Sequence, residues 1–281
     1  MRSKPFRLLQ YAFALCVAVF TLAPFAWLVI SSVSYQKDLT TTPLKWIPDN
    51  LTFERYRDIF TNPDNEMAYA FKMAMINSFT VASTVTVIAL IVGGLAAYAI
   101  SRYRFRFREK LVYLFLFTYM IPSVVIVIPL YLLFSEMQML DSKMTLVLLD
   151  LTFVIPFVIW VMQSYFDSIS KEFDEAAAVD GCSRLQTLWY VVFPIVRPGI
   201  IATGILAFLL AWDEFFFSLL FTSSLEAKTI SVAIAEFSGK NAVDYGMIAT
   251  GGVLASIPPL LIAIVFQRYL VRGMVAGGIK E

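Results

Sequence analysis

Two adjacent carboxylates, Asp213 and Glu214, and a third, Asp150, stand inside long apolar stretches of this 281-residue chain. Paired carboxylates can share a proton, hold a cation or accept hydrogen bonds from the hydroxyls of a solute. The chain has no histidine, so the commonest general base and metal ligand is missing. Its two cysteines, Cys16 in an apolar stretch and Cys182 in a polar one, suggest neither a disulfide framework nor a zinc site. There is no Gly-x-Ser-x-Gly elbow and no His-Glu-x-x-His pair, which leaves an intramembrane enzyme without its usual groups. A Gly-x-x-x-x-Gly-Lys-Ser/Thr phosphate loop is absent as well. The nearest string, Ser238-Gly239-Lys240-Asn241, lacks the glycine spacing and the hydroxyl and reads as a polar turn. On a helix, neighbours point about 100° apart, so Asp213 and Glu214 cannot both converge on one reacting atom. Binding a polar solute fits them better than acid–base catalysis.

The elements that must position these groups are membrane helices. The chain is 59% hydrophobic and 15% charged, against about half and a quarter in soluble domains. Six stretches reach the roughly 20 apolar residues a span needs: 8–33, 74–100, 111–134, 144–166, 199–222 and 247–270. Backbone groups in lipid must be satisfied within the segment, so an all-α membrane protein of six transmembrane helices, forming a single domain over 1–281, is expected. The first stretch is too long for a cleaved signal core and is read as a span. Prolines 24, 122, 129, 156, 258 and 259 are read as kinks within spans.

Lys and Arg are concentrated on one side. Three precede the first span, five lie in the tight turn 102–110, three in 167–198 and three at 268–280. The opposite side has five, one and two, and its five lie in 34–73 beside six acidic residues. The basic side is therefore cytoplasmic, with both termini and the segment 166–198 on it. A net charge of +1 gives no reason to expect nucleic acid. On the outer side, apolar residues at 53, 56, 59 and 60 predict a short amphipathic helix lying on the membrane surface or on a partner. Asp213 and Glu214 fall about 14 residues into span five, about 21 Å from its inner end at about 1.5 Å per residue. Either one of them borders a solute path, with Phe217 as a stacking surface, or they make structural contacts to a partner subunit or an outer gate, with Phe217 packed against lipid or a neighbouring helix; Asp150 is read as a structural group.

The polar stretch 166–198 has its own order. Ser170 can cap a helix whose first turn carries Glu172, Asp174 and Glu175, acids that suit the positive end of a helix dipole. Phe173, Ala176 and Ala177 are expected on one shallow face. Gly181 supplies a left-handed stop after Asp180, Ser183 can open a second helix, and Pro194 and Pro198 flank the entry to span five. Glu175-Ala176-Ala177, three residues, Gly181, nine residues, then Val191, Phe193 and Pro194 resembles the Glu-Ala-Ala motif of importer-type ABC transporter permeases. Val191 stands for isoleucine and Phe193 for leucine. Asn77-Ser78, Ala97-Tyr98-Ala99 with Ser101-Arg102, and Trp212-Asp213-Glu214-Phe215 are similar to patterns of carbohydrate-importer permeases. Arg272-Gly273 through Lys280 looks like the tail of the second permease subunit of maltose-type systems.

That resemblance covers nearly the whole chain and implies a permease subunit of a bacterial or archaeal cytoplasmic-membrane importer. It implies a heterodimer with a second permease, two ATPase subunits carrying ATP and magnesium, and an extracytoplasmic solute-binding protein. The cargo would be a sugar or related polyol, with no cofactor on this chain. Glu175, Ala176, Ala177, Asp180, Gly181 and Pro194 would form a coupling helix, between spans four and five, seated in an ATPase cleft. Gly273, Gly277 and Gly278 would lie in a tail between the ATPase subunits, and the external stretch 226–245 would meet the binding protein. A self-sufficient secondary transporter or channel for a small polar solute is the alternative, which would move its solute in liposomes without partners.

Overall fold

A computed structural model describes residues 4–43, 45–237 and 243–278. These residues are helical throughout their ordered elements, and no strand occurs among them. In chain order the helices are α1 (Lys4–Ser32), α2 (Gln36–Thr40), α3 (Glu54–Thr61), α4 (Glu66–Arg102), α5 (Arg108–Met120), α6 (Ser123–Glu136) and α7 (Lys143–Asp167). They continue with α8 (Glu172–Val179), α9 (Arg184–Gln186), a π-helical turn (Thr187–Val192), α10 (Phe193–Trp212), α11 (Phe216–Phe221), α12 (Ile230–Glu236) and α13 (Tyr245–Gly278).

Among the described residues, five helices are long and apolar enough to cross a membrane: Leu9–Ser32, Glu66–Arg102, Lys143–Asp167, Arg184–Trp212 and Tyr245–Arg268. The expected third span, 111–134, is not one straight helix. It breaks into α5 and α6, which meet at 86°. Pro122 has no N–H to donate and a fixed φ of −61°, and it pushes Ile121 to an extended ψ of 121°. The other interior prolines lie within continuous helices, because neighbouring turns there keep their own bonds. The bent pair counts as a sixth span only if both halves are taken together.

The expected fifth span, 199–222, is corrected at both ends. The helix begins at Arg184 and stops at Trp212; Asp213, Glu214 and Phe215 break it before the short α11. Span two starts earlier than expected, at Glu66, since the fully buried Ala68 and Phe71 extend its packed face. The last helix continues past 270 to Gly278, so Gly273 and Gly277 lie within helical backbone.

The chain packs as two compact units whose boundaries fall inside α4, α13 and near the start of α12. The smaller holds the described residues up to Lys72 and those of 233–257. Here α3 covers the expected amphipathic segment, but its inner face packs on its own chain. Ile59 is 2% exposed, Tyr56 donates to Ser32 Oγ at 2.7 Å, and Arg55 Nη1 donates to the Ser34 carbonyl at 2.8 Å. The chain itself thus covers the Tyr56 and Ile59 part of that face, while Phe53 and Phe60 remain exposed.

The larger unit holds 73–232 and the described residues from 258 onward. Its centre is α7, flanked by α5 and α10. Leu146, Leu149, Val154, Val158, Ile159 and Met162 form the buried stripe of α7, and small residues of α10 such as Ala202, Thr203 and Ala207 face inward. Between lipid-facing helices, small side chains of this kind allow close approach and dispersion contact. Gly199 is the tightest glycine of this unit, since a Cβ there would sit 2.5 Å from the Tyr165 ring.

Candidate functional site

The polar stretch 166–198 is mostly helical. Ser170 Oγ accepts the Glu172 amide at 3.3 Å, so the serine serves the start of α8 from just outside it. At the other end Gly181 has φ of +83°, the left-handed region that glycine enters without a Cβ penalty. The Cys182 amide reaches back to the Ala177 carbonyl at 2.9 Å and the Gly181 amide to Ala178 at 3.1 Å. This pair of bonds is the Schellman closure, which satisfies carbonyls the helix leaves open. Ser183 and Gln186 then form a reciprocal capping box at the start of α9.

Pro194 does not lead into a new helix. It stands in the first turn of α10 directly after the π-helical turn. Proline cannot donate to the carbonyl four residues back and its ring crowds it. The wider i→i+5 turn at 187–192 absorbs that mismatch and keeps the helix continuous.

α8 has two faces. On the inner face, Asp174 Oδ2 lies 3.0 Å from Arg102 Nε, a charge contact not aligned as a hydrogen bond, and Tyr98 Oη donates to Asp174 Oδ1 at 3.1 Å. The Arg102 side chain is 4% exposed and that of Asp174 17%. Arg102 Nη1 also donates to the Ile169 carbonyl at 3.2 Å, and Ser101 Oγ donates to Asp167 Oδ1 at 2.5 Å. Tyr98 packs edge-on against Phe166. The end of α4 therefore grips both the exit of α7 and the first turn of α8. Ala177, one turn on from Asp174, is buried on this same face.

The outer face carries Phe173, Glu175, Ala176, Val179 and Asp180, all exposed, with Val179 at 88%. The expectation that Phe173, Ala176 and Ala177 share one face is corrected. Ala177 follows Asp174 inward at i+3, whereas Phe173 and Ala176 project together on the open side. The result is a rigid knob with an apolar and acidic outer surface, held by buried polar contacts beneath.

The sequence does not present Arg102, Tyr98 and Asp174 as a set: Arg102 is one of the basic side's charges and Asp174 a helix-start acid. The pattern Ala97-Tyr98-Ala99-Ile100-Ser101-Arg102 is the available signal. It places Tyr98 and Arg102 four residues apart on one helical face.

At the other groups the geometry differs from expectation. Asp213 and Glu214 do not sit within a spanning helix but in the break after Trp212. Both Glu214 oxygens accept amides of α11, from Phe217 at 2.7 Å and Ser218 at 3.0 Å, so this carboxylate caps a helix. Phe217 is 2% exposed and stacks against Phe153, which closes its ring off from any solute. Asp213 alone of the three is exposed. Asp150 is 1% exposed on α7.

Beyond α11, polar side chains fasten the following turn. Asn77 Nδ2 donates to the carbonyls of Leu225 and Lys228, both at 2.9 Å, and Ser78 Oγ accepts the Ile230 amide at 2.8 Å. Asp141, with φ of 57°, accepts the amides of Ser223 and Ser224 at 2.8 and 2.9 Å. Burial alone would raise the Asp141 carboxyl; the two amides outweigh it and hold the group below its usual range. The string 238–241, with Gly239, lies outside the described residues. Gly273, Gly277 and Gly278 are described only as helical backbone of α13. No cluster able to hold a metal ion occurs among the described residues.

Three comparisons bear on this arrangement. The pattern of the family described as binding-protein-dependent transport system inner membrane component matches residues 86–276. The trehalose/maltose transport system permease protein MalG of Thermococcus litoralis is 32% identical over 275 residues, covering 98% of this chain and 97% of that protein. The trehalose transport system permease protein SugB of Mycobacterium tuberculosis is 33% identical over 266 residues, covering 94% of each. Among solved structures, a subunit of a bacterial ABC transporter for import of the acidic polysaccharide alginate aligns with a TM-score of 0.75. It is 22% identical and covers 96% of this chain and 99% of that one, a likeness of fold.

Proposed function

This chain belongs to the family of binding-protein-dependent transport system inner membrane components, and from that premise we propose how it divides its work between a solute path and a cytoplasmic drive. It is a multi-pass permease subunit of an ABC importer and not an enzyme in its own right. Its cargo is a sugar or related polyol, a reading supported by relatives named for trehalose and maltose transport. It lines the path together with a second permease, receives solute from an extracytoplasmic binding protein, and has both terminal segments in the cytoplasm. ATP and magnesium are held by two separate ATPase subunits, and this chain binds no cofactor.

α8 is the coupling helix. The observation that carries this is its two-faced construction: Asp174 fixed to Arg102 and Tyr98 beneath, Phe173, Ala176 and Val179 open above. A helix that must transmit force needs a stiff mount and a free contact surface, and this one has both. Movement of the ATPase pair is passed through Asp174–Arg102 to α4 and through Ser101–Asp167 to α7, a rigid-body route across packed elements. Gly181 and Pro194 serve the same route, one by ending α8 and the other by joining the π turn to α10. The glycines at 273, 277 and 278 provide a slim backbone for contact with the ATPase subunits. Of the residues near the break after α10, Asp213 is the one free to accept hydroxyls of the solute; Glu214 holds α11 in place beside it.

A photo-crosslinking residue at Val179 tests the docking. In the assembled transporter it is expected to form adducts with an ATPase subunit that change in yield when ATP is added. Adducts only with lipid or with the second permease would exclude α8 as the coupling element. Solute uptake by this chain alone in liposomes, driven by an ion gradient, would instead favour a self-sufficient transporter.

A further inference from the structure

A cleft of 590 Å³ opens between α5 and α7, lined by Arg108, Tyr113, Leu116, Trp160, Gln163 and Asp167. Its composition changes along the helices. Where α5 begins and α7 ends it is polar, with Arg108 3.6 Å from Asp167. One to two turns farther along it is walled by Val112, Leu116 and the rings of Tyr113 and Trp160. Both rings are largely exposed, at 70% and 50%. Both helices belong to stretches apolar enough to cross a membrane, and the cleft runs from their basic end toward their apolar middles. Trp and Tyr prefer the boundary between two such environments.

The polar end has unmet hydrogen-bonding capacity of two kinds. Asp167 is occupied: Oδ1 accepts from Ser101 Oγ and lies near Arg108, while Oδ2 accepts from Gln163 Nε2 at 3.3 Å. Arg108 makes only that single, long approach among the described residues, which leaves most of its five N–H donors open. Arg104, Arg106 and Lys110 are exposed in the same basic turn and add positive potential. Gln163 Oε1 is buried and has no hydrogen-bond partner among the described residues. A buried acceptor left alone is destabilising, so the site calls for a donor.

An occupant must therefore supply an anion for Arg108, a hydrogen-bond donor for Gln163 Oε1 and a hydrocarbon tail for the Leu116–Trp160 end. Inorganic phosphate meets only the first demand, a choline lipid lacks the donor, and the exposed Arg104, Arg106 and Lys110 repel the ammonium of an ethanolamine lipid. We propose that this cleft binds an anionic phospholipid with a hydroxylated headgroup, of the phosphatidylglycerol type. Its phosphodiester lies at Arg108, its glycerol hydroxyl at Gln163 Oε1, and its acyl chain along Leu116, Tyr113 and Trp160. Because Asp167 also holds Ser101 at the end of α4, a bound lipid braces the mount on which α8 stands.

The test uses the whole transporter, purified and exchanged into mixed nanodiscs of equal phosphatidylglycerol and phosphatidylcholine. Lipids that stay bound after transfer to detergent are counted by native mass spectrometry. Wild type should retain phosphatidylglycerol about five-fold over phosphatidylcholine, the ratio one interfacial basic residue supplies. Arg108→Gln should abolish the enrichment, Arg108→Lys should keep most of it, and Gln163→Leu should reduce it while the assembled complex stays intact. Equal retention of the two lipids by wild type, or undiminished enrichment in both Arg108→Gln and Gln163→Leu, overturns the proposal. Displacement of the retained lipid by inorganic phosphate alone would also overturn it, marking a small-anion site. So would finding Trp160 covered by another subunit, read from photo-crosslinks placed there.

Discussion

Replacing Asp174 with alanine should loosen α8 from its mount more than any other single change in the loop. The substitution strands Arg102, whose side chain is 4% exposed, and removes the acceptor of Tyr98. Breaking a buried ion pair by deleting one partner costs about 3–5 kcal/mol. Asp174 keeps 17% of its side-chain surface in solvent, which screens part of the interaction, so about 2–3 kcal/mol is the better figure here. That lowers the ratio of docked to undocked α8 roughly 30- to 160-fold. Hydrogen exchange of the 172–181 amides in the assembled transporter should accelerate accordingly, and solute moved per ATP hydrolysed should fall while ATP turnover persists. Glu172→Ala is the matched control. It deletes an acid from the same first turn, but an exposed one whose interaction with the helix dipole is only about 0.3–1 kcal/mol. The exchanged-charge double variant, Asp174→Arg with Arg102→Asp, should recover part of the protection. If Asp174→Ala matches Glu172→Ala in both exchange and coupling, the buried pair is not what holds α8 and the reasoning fails.

Gly181→Val should destabilise the end of α8 by about 1–2 kcal/mol through its backbone alone, since nothing lies within 4 Å of a Cβ there. Gly181→Asn should cost less, and equal transport coupling in Val, Asn and wild type would remove the stop from the mechanism. Glu214→Ala should cost about 0.5–2 kcal/mol, the usual loss of a helix cap, seen as a lower melting temperature; Asp213→Asn should leave melting unchanged and alter solute transport. For Asp141 the folded carboxyl is depressed below its ordinary value of 3.8, so its contribution is complete above that pH and lost as pH falls through the lower folded value. Amide exchange at Ser223 and Ser224 should therefore rise under strong acid, and Asp141→Asn should show the faster exchange already at neutral pH.

Much of this molecule is local in origin and so could be read from the chain. Runs of twenty apolar residues dictate spanning helices wherever they occur, because lipid offers no alternative partner for the backbone. The stop at Gly181, the box at Ser183 and the acidic start of α8 rest on contacts within four or five residues, and the sequence displays both partners together. The spacing from Glu175 to Pro194 pointed to the permease family that residues 86–276 match.

Other features depend on residues far apart in the chain or on competition between neighbours. Arg102 and Asp174 are seventy-two positions apart, and only the crossing of α4 beside α7 turns a loop charge and a helix-start acid into one buried pair. Whether a proline kinks or breaks a span depends on what its freed carbonyls and its predecessor can do, which is why Pro122 ends a helix and Pro156 does not. Asp213 and Glu214 looked equivalent until the helix stopped at Trp212. One carboxylate then turned back to cap α11, and the other was left exposed. Sequence determines which groups are present and which local bonds they can close; tertiary packing decides which of them are spent on structure and which remain free to meet a partner.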